Sequence, residues 1–447
     1  MAAMDVKIEK LVYGGEGLAH HEGATIFVPY VLPGERVRAT AAEQKKKFVR
    51  ARLEQTLEAS PDRIAPRCPH FGVCGGCDYQ HIPYEAQVGF KAEILRETLR
   101  RIGRIEWPGE IATHPSPPWG YRNRAQWKIR PLADRGSRSA SGQAPASAEG
   151  LGIGYFRAGS TALCAVESCA ILSPLLAKSF AALRSALDHG ALPRTLREIE
   201  AFAGAGDSAL LVTATFAGFP ARPAELAETL RGLLPEMESL LFHDPSRERM
   251  ELHGPGYVTC EADGRTYRVG HLSFFQVNRF LAGELAREVT QREEKGGLAL
   301  DLFAGAGLFS VPLAERFHRV VAVEENPASA RDLEVNAGAS GGETGGLARP
   351  PIEIHTMDAE RYLGKCHEKA ELAVLDPPRA GLTPGIIKHL ARIGPERVTY
   401  VSCDPPTLAR DLAAFTAAGY AISEVCVFDM FPQTFHIESV VRLQRIP

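Results

Sequence analysis

The last third of the chain alternates short, wholly apolar runs with stretches compatible with helix, and few folds accept that rhythm. The runs GLALDLF, RVVAVEE, IEIHTMD, ELAVLDP and RVTYVSCD begin near residue 298, and CVFDMF and ESVVRLQRI close the chain. A strand exposed on one face would alternate polar and apolar residues. Unbroken apolar runs instead predict strands buried on both faces, as in a parallel sheet covered by helices. A Rossmann-like, doubly wound α/β domain is expected, with its ligands held at the C-terminal ends of the strands.

The loops after those strands carry the chemistry. DLFAGAGLFS (Asp301–Ser310) leaves the first strand and opens a helix, and Gly305 and Gly307 let the backbone come close to a ligand. A full GxGxxG is absent, because Ser310 stands where the third glycine would be. Glu324 ends the second strand, where a carboxylate can take both hydroxyls of a ribose, and Asp358 follows the third, placed to reach an adenine edge. These parts suit a nucleoside cofactor without a pyrophosphate, S-adenosylmethionine in preference to NAD.

LDPPRAG (Leu375–Gly381) follows the fourth strand and SCDPPT (Ser402–Thr407) the fifth, so Asp376 and Cys403 share the cofactor's rim. The prolines stiffen both loops by fixing φ and removing donors. A cysteine in that position fits methylation at carbon 5 of uracil. That carbon is too weak a nucleophile to attack a sulfonium methyl, but a thiolate adding to carbon 6 generates an enolate that is nucleophilic at carbon 5. A carboxylate or imidazole must then remove the carbon 5 proton so that the thiolate can leave. HIESV offers Glu438, with His436 two residues earlier. Upstream, HLSFFQVN places Gln276 to hydrogen-bond the uracil edge or the cofactor, and Phe274 and Phe275 to pack or stack.

At 447 residues the chain is long enough for two to four domains. Residues 5–57 read as short strands separated by glycine turns, which predicts a compact barrel of the oligonucleotide-binding kind. A cysteine segment follows, then a helical stretch at 84–104, a small-residue loop expected to be disordered at 133–150, a helix near 172–188, and strands at 208–216 and 238–243. The net charge of -3 argues mildly against a protein coated in nucleic acid. Three basic groups in the first third, KKKFVRAR, Arg96–Arg104 and Arg122–Arg130, nevertheless suggest a side that faces RNA. No run approaches the roughly 18 apolar residues of a spanning helix, and MAAMDVKIEK lacks a signal-peptide core, so a cytoplasmic enzyme with no membrane partner is expected. Of nine cysteines, Cys68, Cys74 and Cys77 fall close together, which in a cytosolic chain suggests metal or cluster ligation.

The pieces FFQVN, DLFAGAG, LDPPR, SCDPPT and HIES, in that order behind a TRAM-like barrel, resemble the RNA 5-methyluridine methyltransferases over nearly the whole chain. Within that family the branch acting on 23S ribosomal RNA is the better match. The resemblance implies three regions: a TRAM barrel at 1–60 that binds RNA, a central α+β iron–sulfur domain at 61–270, and a methyltransferase domain at 271–447. It implies Cys403 as nucleophile and Glu438 as base, with Gln276, Phe303, Glu324 and Asp376 lining the pocket for cofactor and target. It further implies that Cys68, Cys74, Cys77 and Cys169 hold a [4Fe-4S] cluster of structural, RNA-contacting character, in a chain acting as a monomer. All-thiolate ligation suits such a cluster, although four cysteines also suit tetrahedral zinc. Cys164 lies near Cys169 in sequence, so the fourth ligand rests on CAIL, which matches the family's pattern better. The chain departs from that pattern at Leu308, where relatives carry a polar residue, and at Ala170, where they carry proline.

Four other readings compete. A tRNA-directed member of the same family is the nearest, although such relatives commonly lack both barrel and cysteines. An amino-group methyltransferase would carry an aromatic after the paired prolines, where Arg379 stands. A radical enzyme would need C-x3-C-x2-C, and the Cys68–Cys74 spacing is too long. A non-catalytic RNA-binding module would explain the barrel but leave Cys403 and Glu438 without a purpose.

Overall fold

The computed structural model describes residues 3–132, 150–292, 295–339 and 352–447. The loop expected at 133–150 lies, apart from Gly150, outside the described residues.

Six strands, Ala3–Lys7, Lys10–Leu11, Glu16–His21, Ala24–Pro29, Arg36–Gln44 and Phe48–Glu58, make the N-terminal sheet, in the order first, fifth, sixth, fourth, third, second. The first strand also packs on the third, so the sheet curls. Alternation sets the two faces: Val37, Ala39, Val49 and Ala51 point into a small core, while Arg36, Arg38, Arg50 and Arg52 point out. The region between this unit and residue 257 centres on a seven-stranded, mostly antiparallel sheet. Helices Pro174–Asp188 and Pro223–Leu233 pack on it around Trp127, Phe180 and Phe242. Ser173 starts the first of these helices by accepting a hydrogen bond from the Leu176 amide, with Pro174 at the first helical position.

The apolar runs at the end of the chain form β1 (Gly296–Leu302), β2 (Phe317–Glu324), β3 (Ile352–Thr356), β4 (Leu372–Leu375), β5 (Arg397–Ser402), β6 (Tyr420–Phe428) and β7 (Glu438–Arg445). Their order is β3-β2-β1-β4-β5-β7-β6, and β7 runs antiparallel to both its neighbours. Successive connections leave β1 toward opposite edges of the sheet, which opens a crevice at the C-terminal ends of β1 and β4.

An eighth strand, Ala112–His114, pairs in parallel with β6 at the far edge. It belongs to the stretch 84–114, which the sequence reading places in the central region. Helix Tyr84–Thr98 and the turn after it instead bury Ile94, Leu95 and Leu99 against Leu408, Leu412 and Phe415 of the α/β domain. Hydrophobic periodicity predicts that this helix has an apolar face but not which neighbour covers it. Lys91 on the same helix is fully buried and donates to Asp429 Oδ1 at 2.6 Å and to the Phe431 carbonyl at 3.0 Å. Removing one partner of such a buried pair costs about 3–5 kcal/mol, so the helix is tied firmly to the segment preceding β7. Among the described residues no helix is long and apolar enough to cross a membrane.

Candidate active site

Because β7 runs against its neighbours, its first residue lies on the same rim as the last residues of β4 and β5. Ser402 pairs with Ser439, and the Ser439 hydroxyl donates to the Ser402 carbonyl at 3.1 Å. Cys403, one step beyond Ser402, therefore stands across from Glu438, one step before Ser439. Two segments separated in sequence meet here only through strand register.

The electrostatics of the pair follow from burial. Cys403 is half-buried, and desolvation, helped by Glu438 and Asp376, pushes its thiol up to about 12. Glu438 is fully buried, and desolvation followed by the nearby Asp376 raises its carboxyl well above the usual range. Arg379, from LDPPRAG, opposes both shifts. Its carbonyl accepts from the Thr407 hydroxyl at 3.2 Å, which links the two proline loops. From the sequence, Arg379 serves only to exclude an amino-group methyltransferase; its position after the paired prolines, on the rim, is the signal that points to it. The imidazole of His436 is pushed down to about 4, chiefly by burial and then by Arg379, so it stays neutral. Its ring packs on Phe435, with centroids 4.4 Å apart.

Beside this pair lies a pocket whose lining includes Phe274, Gln276, Phe303, Gly305, Leu308 and Asp376. Phe303 has φ +73°, a left-handed conformation that costs a non-glycine residue about 1–3 kcal/mol. Two amides repay part of that, since Phe303 N and Ala304 N both donate to the Val323 carbonyl at 3.0 Å. The Glu324 carboxylate is held by the backbone on both oxygens, from Gly305 N at 2.7 Å and Asn326 N at 2.8 Å. It stands at the pocket's edge, beside the glycine turn. Burial pushes Asp376 and Asp301 each up to about 7, and Asp301 also accepts from the Ser310 hydroxyl. The FF pair divides: Phe275 joins the core beside Tyr267, whereas Phe274 is 59% exposed. Asp358 is exposed and starts helix Ala359–Lys365, accepting from Arg361 N at 2.9 Å. The pocket thus gathers Gln276, Phe303 and Asp376, with Glu324 adjoining and Asp358 spending one oxygen on a helix cap.

The clustered cysteines meet Cys169 across the central region. Burial pushes Cys74 and Cys77 up to about 12; Cys164, Cys169 and Cys68 add to the first shift, and Cys169 and Cys74 to the second. Five thiols therefore share one neighbourhood, Cys164 among them. Among the described residues no three His, Cys, Asp or Glu side chains converge on a single metal ion. The two facts agree, because charge effects reach farther than metal–ligand bonds. Directly after Cys77, the amides of Asp78 and Tyr79 donate to the Gln433 carbonyl at 2.9 and 3.0 Å. Asp78 Oδ2 accepts from Phe435 N at 3.3 Å. The cysteine loop thus props the segment that delivers Glu438, a link for which spacing in the sequence gives no sign.

Comparison with known proteins decides the family. Residues 258–446 match the family described as tRNA (Uracil-5-)-methyltransferase, and residues 2–53 match the TRAM domain. The chain is 34% identical over 446 residues to the 23S rRNA (uracil(1939)-C(5))-methyltransferase RlmD of Salmonella paratyphi A, covering 99% of this chain and 96% of that protein. The RlmD of Klebsiella pneumoniae is 35% identical over 442 residues, with 96% and 93% covered. This chain belongs to the RNA uracil-C5 methyltransferase family. The enzyme is accordingly an S-adenosylmethionine-dependent RNA methyltransferase. Its fold is similar throughout to the tRNA (uracil-54, C5)-methyltransferase of Pyrococcus abyssi in complex with S-adenosyl-L-homocysteine, with a TM-score of 0.73, 25% identity, and 98% and 100% of the two chains covered.

Proposed function

We propose that the enzyme methylates carbon 5 of a uridine in 23S ribosomal RNA through a covalent adduct between Cys403 and carbon 6 of the uracil. The observation that carries the reading is the placement of Cys403 across from Glu438 at the β5–β7 rim, with Asp376 and Arg379 beside them. S-adenosylmethionine, when bound, supplies an electrophilic methyl on a positively charged sulfur. The thiol of Cys403 gives its proton to solvent as sulfur adds to carbon 6. Carbon 5 then takes the methyl, Glu438 accepts the carbon 5 proton, and the electron pair of that C–H bond restores the ring double bond as sulfur leaves. A carboxyl with a raised pKa is a stronger base once ionised, and Arg379 favours the ionised forms of both groups. Gln276, Phe303, Glu324, Asp358 and Asp376 are assigned to the cofactor and target pocket. A uridine inside a folded stem must be turned out of its stack to enter, at a cost of a few kcal/mol.

The reading extends to the rest of the chain. Residues 1–60 bind RNA, residues 61–270 form the central domain, and residues 271–447 hold the transferase machinery. Cys68, Cys74, Cys77 and Cys169 hold a [4Fe-4S] cluster. Its support is the meeting of four thiols from two distant segments in a partly buried site, where ligated iron offsets the cost of thiolate charge. The cluster's contribution is to fix the cysteine loop, which holds the segment before Glu438. Action as a monomer is part of the same proposal.

The closer identity to the RlmD proteins favours ribosomal RNA; the whole-chain likeness to the archaeal enzyme sustains a tRNA target as the second reading. Transfer of labelled methyl to unmodified 23S and tRNA transcripts separates them. Cys403→Ala is expected to abolish transfer, and Glu438→Gln to trap an RNA adduct that survives a denaturing gel. Activity surviving in Cys403→Ala would sink the mechanism.

A further inference from the structure

One contact between the N-terminal barrel and the α/β domain falls on the loops that carry Cys403 and Glu438. Tyr13, in the turn before strand Glu16–His21, extends its hydroxyl to Asp404 Oδ2 at 3.2 Å and to the Cys403 carbonyl at 3.5 Å. Asp404 also starts helix Pro405–Ala417 by accepting from Thr407 N at 3.0 Å, so the tyrosine reaches the turn that sets where Cys403 points. The other end of the contact is aromatic. The Tyr13 ring meets Phe435 edge-on, with centroids 5.6 Å apart and planes at 86°, and Phe435 in turn packs on His436, two residues before Glu438.

The backbone of the same turn confirms how closely it is seated. Gly15 has φ +84°, and a Cβ there would lie 3.2 Å from Asp78 Cβ and 3.3 Å from Phe435 Cβ. Any other residue would be strained in that conformation and would crowd Asp78 and Phe435. An RNA-binding appendage needs no such fit against a catalytic loop, since the barrel also meets helix Tyr84–Thr98 through the Lys10–Glu97 ion pair and through Leu11 and Leu32, which join the core around Ile94 and Leu95.

We infer that Tyr13 is a positioning residue for methyl transfer, clamping from the barrel the two loops that carry Cys403 and Glu438. Its hydroxyl holds one loop and its ring the other, so the barrel sets the reaction rate and not RNA affinity alone. The inference rests on the roles proposed above for Cys403 and Glu438.

The test uses the full chain, with single-turnover methyl transfer at saturating RNA and S-adenosylmethionine, and RNA affinity measured in parallel by filter binding. Tyr13→Phe keeps the ring and loses the hydroxyl; it is expected to slow transfer about tenfold, the scale of one hydrogen bond to a charged group. Tyr13→Ala loses both contacts and is expected to slow transfer about a hundredfold, as small misplacements of reacting groups do. RNA affinity should stay within about twofold of the parent protein in each variant. Glu97→Gln, which weakens the ion pair with Lys10 away from the loops and lies outside the barrel, should leave the rate unchanged. A defect confined to RNA affinity, an unchanged rate in Tyr13→Phe, or an equal slowing in Glu97→Gln each overturns the inference, and Tyr13→Phe decides the matter if the alanine variant does not fold. Cys403→Ala run alongside separates the two failures: activity there removes the mechanism, whereas its inactivity with normal Tyr13 variants removes only the clamp.

Discussion

Two places in this molecule carry cysteines given a chemical role, a single one on the rim of the α/β sheet and a group in the loop between the barrel and helix Tyr84–Thr98, and burial treats them alike. Cys403 on the rim and Cys74 and Cys77 in the loop are all pushed up to about 12, as are Cys260 and Cys426, which pack in the core. A raised thiol is therefore no signature of function here. What distinguishes the sites is the company each thiol keeps. Cys403 faces a buried carboxyl and an arginine, which suits proton traffic. The loop cysteines face one another, which suits a shared electron-deficient centre. Cys426 also has a carboxylate and an arginine near it, but Glu288 and Arg442 pair with each other, and its thiol, in the core, donates to the Val440 carbonyl at 3.5 Å, so it behaves as a small apolar residue.

The largest effect that could break this distinction is at the rim. Cys403→Ala should reduce methyl transfer to background, a loss of roughly 10⁴-fold or more, while Cys426→Ala should leave the rate near normal; radiolabel transfer to RNA measures both. Comparable losses in the two would show that neighbours do not sort these thiols. Next comes Cys77→Ser, expected to release iron from protein purified without oxygen and to slow transfer about 10- to 100-fold, as loss of a supporting shell does. Iron content with the visible spectrum reports the first, and single-turnover rates the second. Full activity in iron-free protein would cut the proposed tie between the cysteine loop and Glu438.

A smaller effect concerns charge. In the proposed mechanism both Cys403 and Glu438 must ionise, and both are shifted upward, so the rate should climb as pH rises. Arg379 opposes the shifts, so Arg379→Leu should slow transfer about tenfold at neutral pH and move the climb to higher pH. A pH–rate profile parallel to that of the parent protein would remove Arg379 from this role.

The smallest effect lies in the pocket. Asp301 and Asp376 titrate near 7 in the folded protein against roughly 4 when unfolded. The folded state thus holds more protons between those values. The stability these two groups contribute is fully present below about pH 4 and is lost as pH rises through about 7. A positively charged ligand beside Asp376 favours its ionised form, whereas the neutral thioether product does not. The affinity for S-adenosylmethionine relative to S-adenosyl-L-homocysteine should accordingly grow a few-fold from about pH 6 to pH 8, read by calorimetry or thermal shift. A ratio independent of pH would place the sulfonium away from that carboxyl.

Much of the α/β domain was legible because its evidence is local. Apolar runs, turn glycines and paired prolines are statements about neighbouring residues, and from them came the strands, the loop at Gly305 and the rim residues Asp376 and Cys403. The barrel was legible for the same reason, through alternation on short strands. Helix Tyr84–Thr98 marks where such evidence stops: its apolar face was readable, but its partner was not, and it packs on the α/β domain rather than on the central sheet. Asp358 marks another limit, since an acid after a strand is equally a ligand contact and a helix cap.

By itself, the sequence determined the chemical kinds present and their order: a thiol, a carboxyl, a glycine turn and four clustered or distant cysteines, each on an identifiable strand end or loop. Tertiary structure alone decided who faces whom. The antiparallel seating of β7 puts Glu438 across from Cys403, the cysteine loop braces the segment at Gln433, and Tyr13 of the barrel touches the turn after Cys403. The reason is physical. Local pattern follows from the geometry of one strand or helix, whereas contacts between distant segments depend on sheet register and domain packing, which no single stretch of chain encodes.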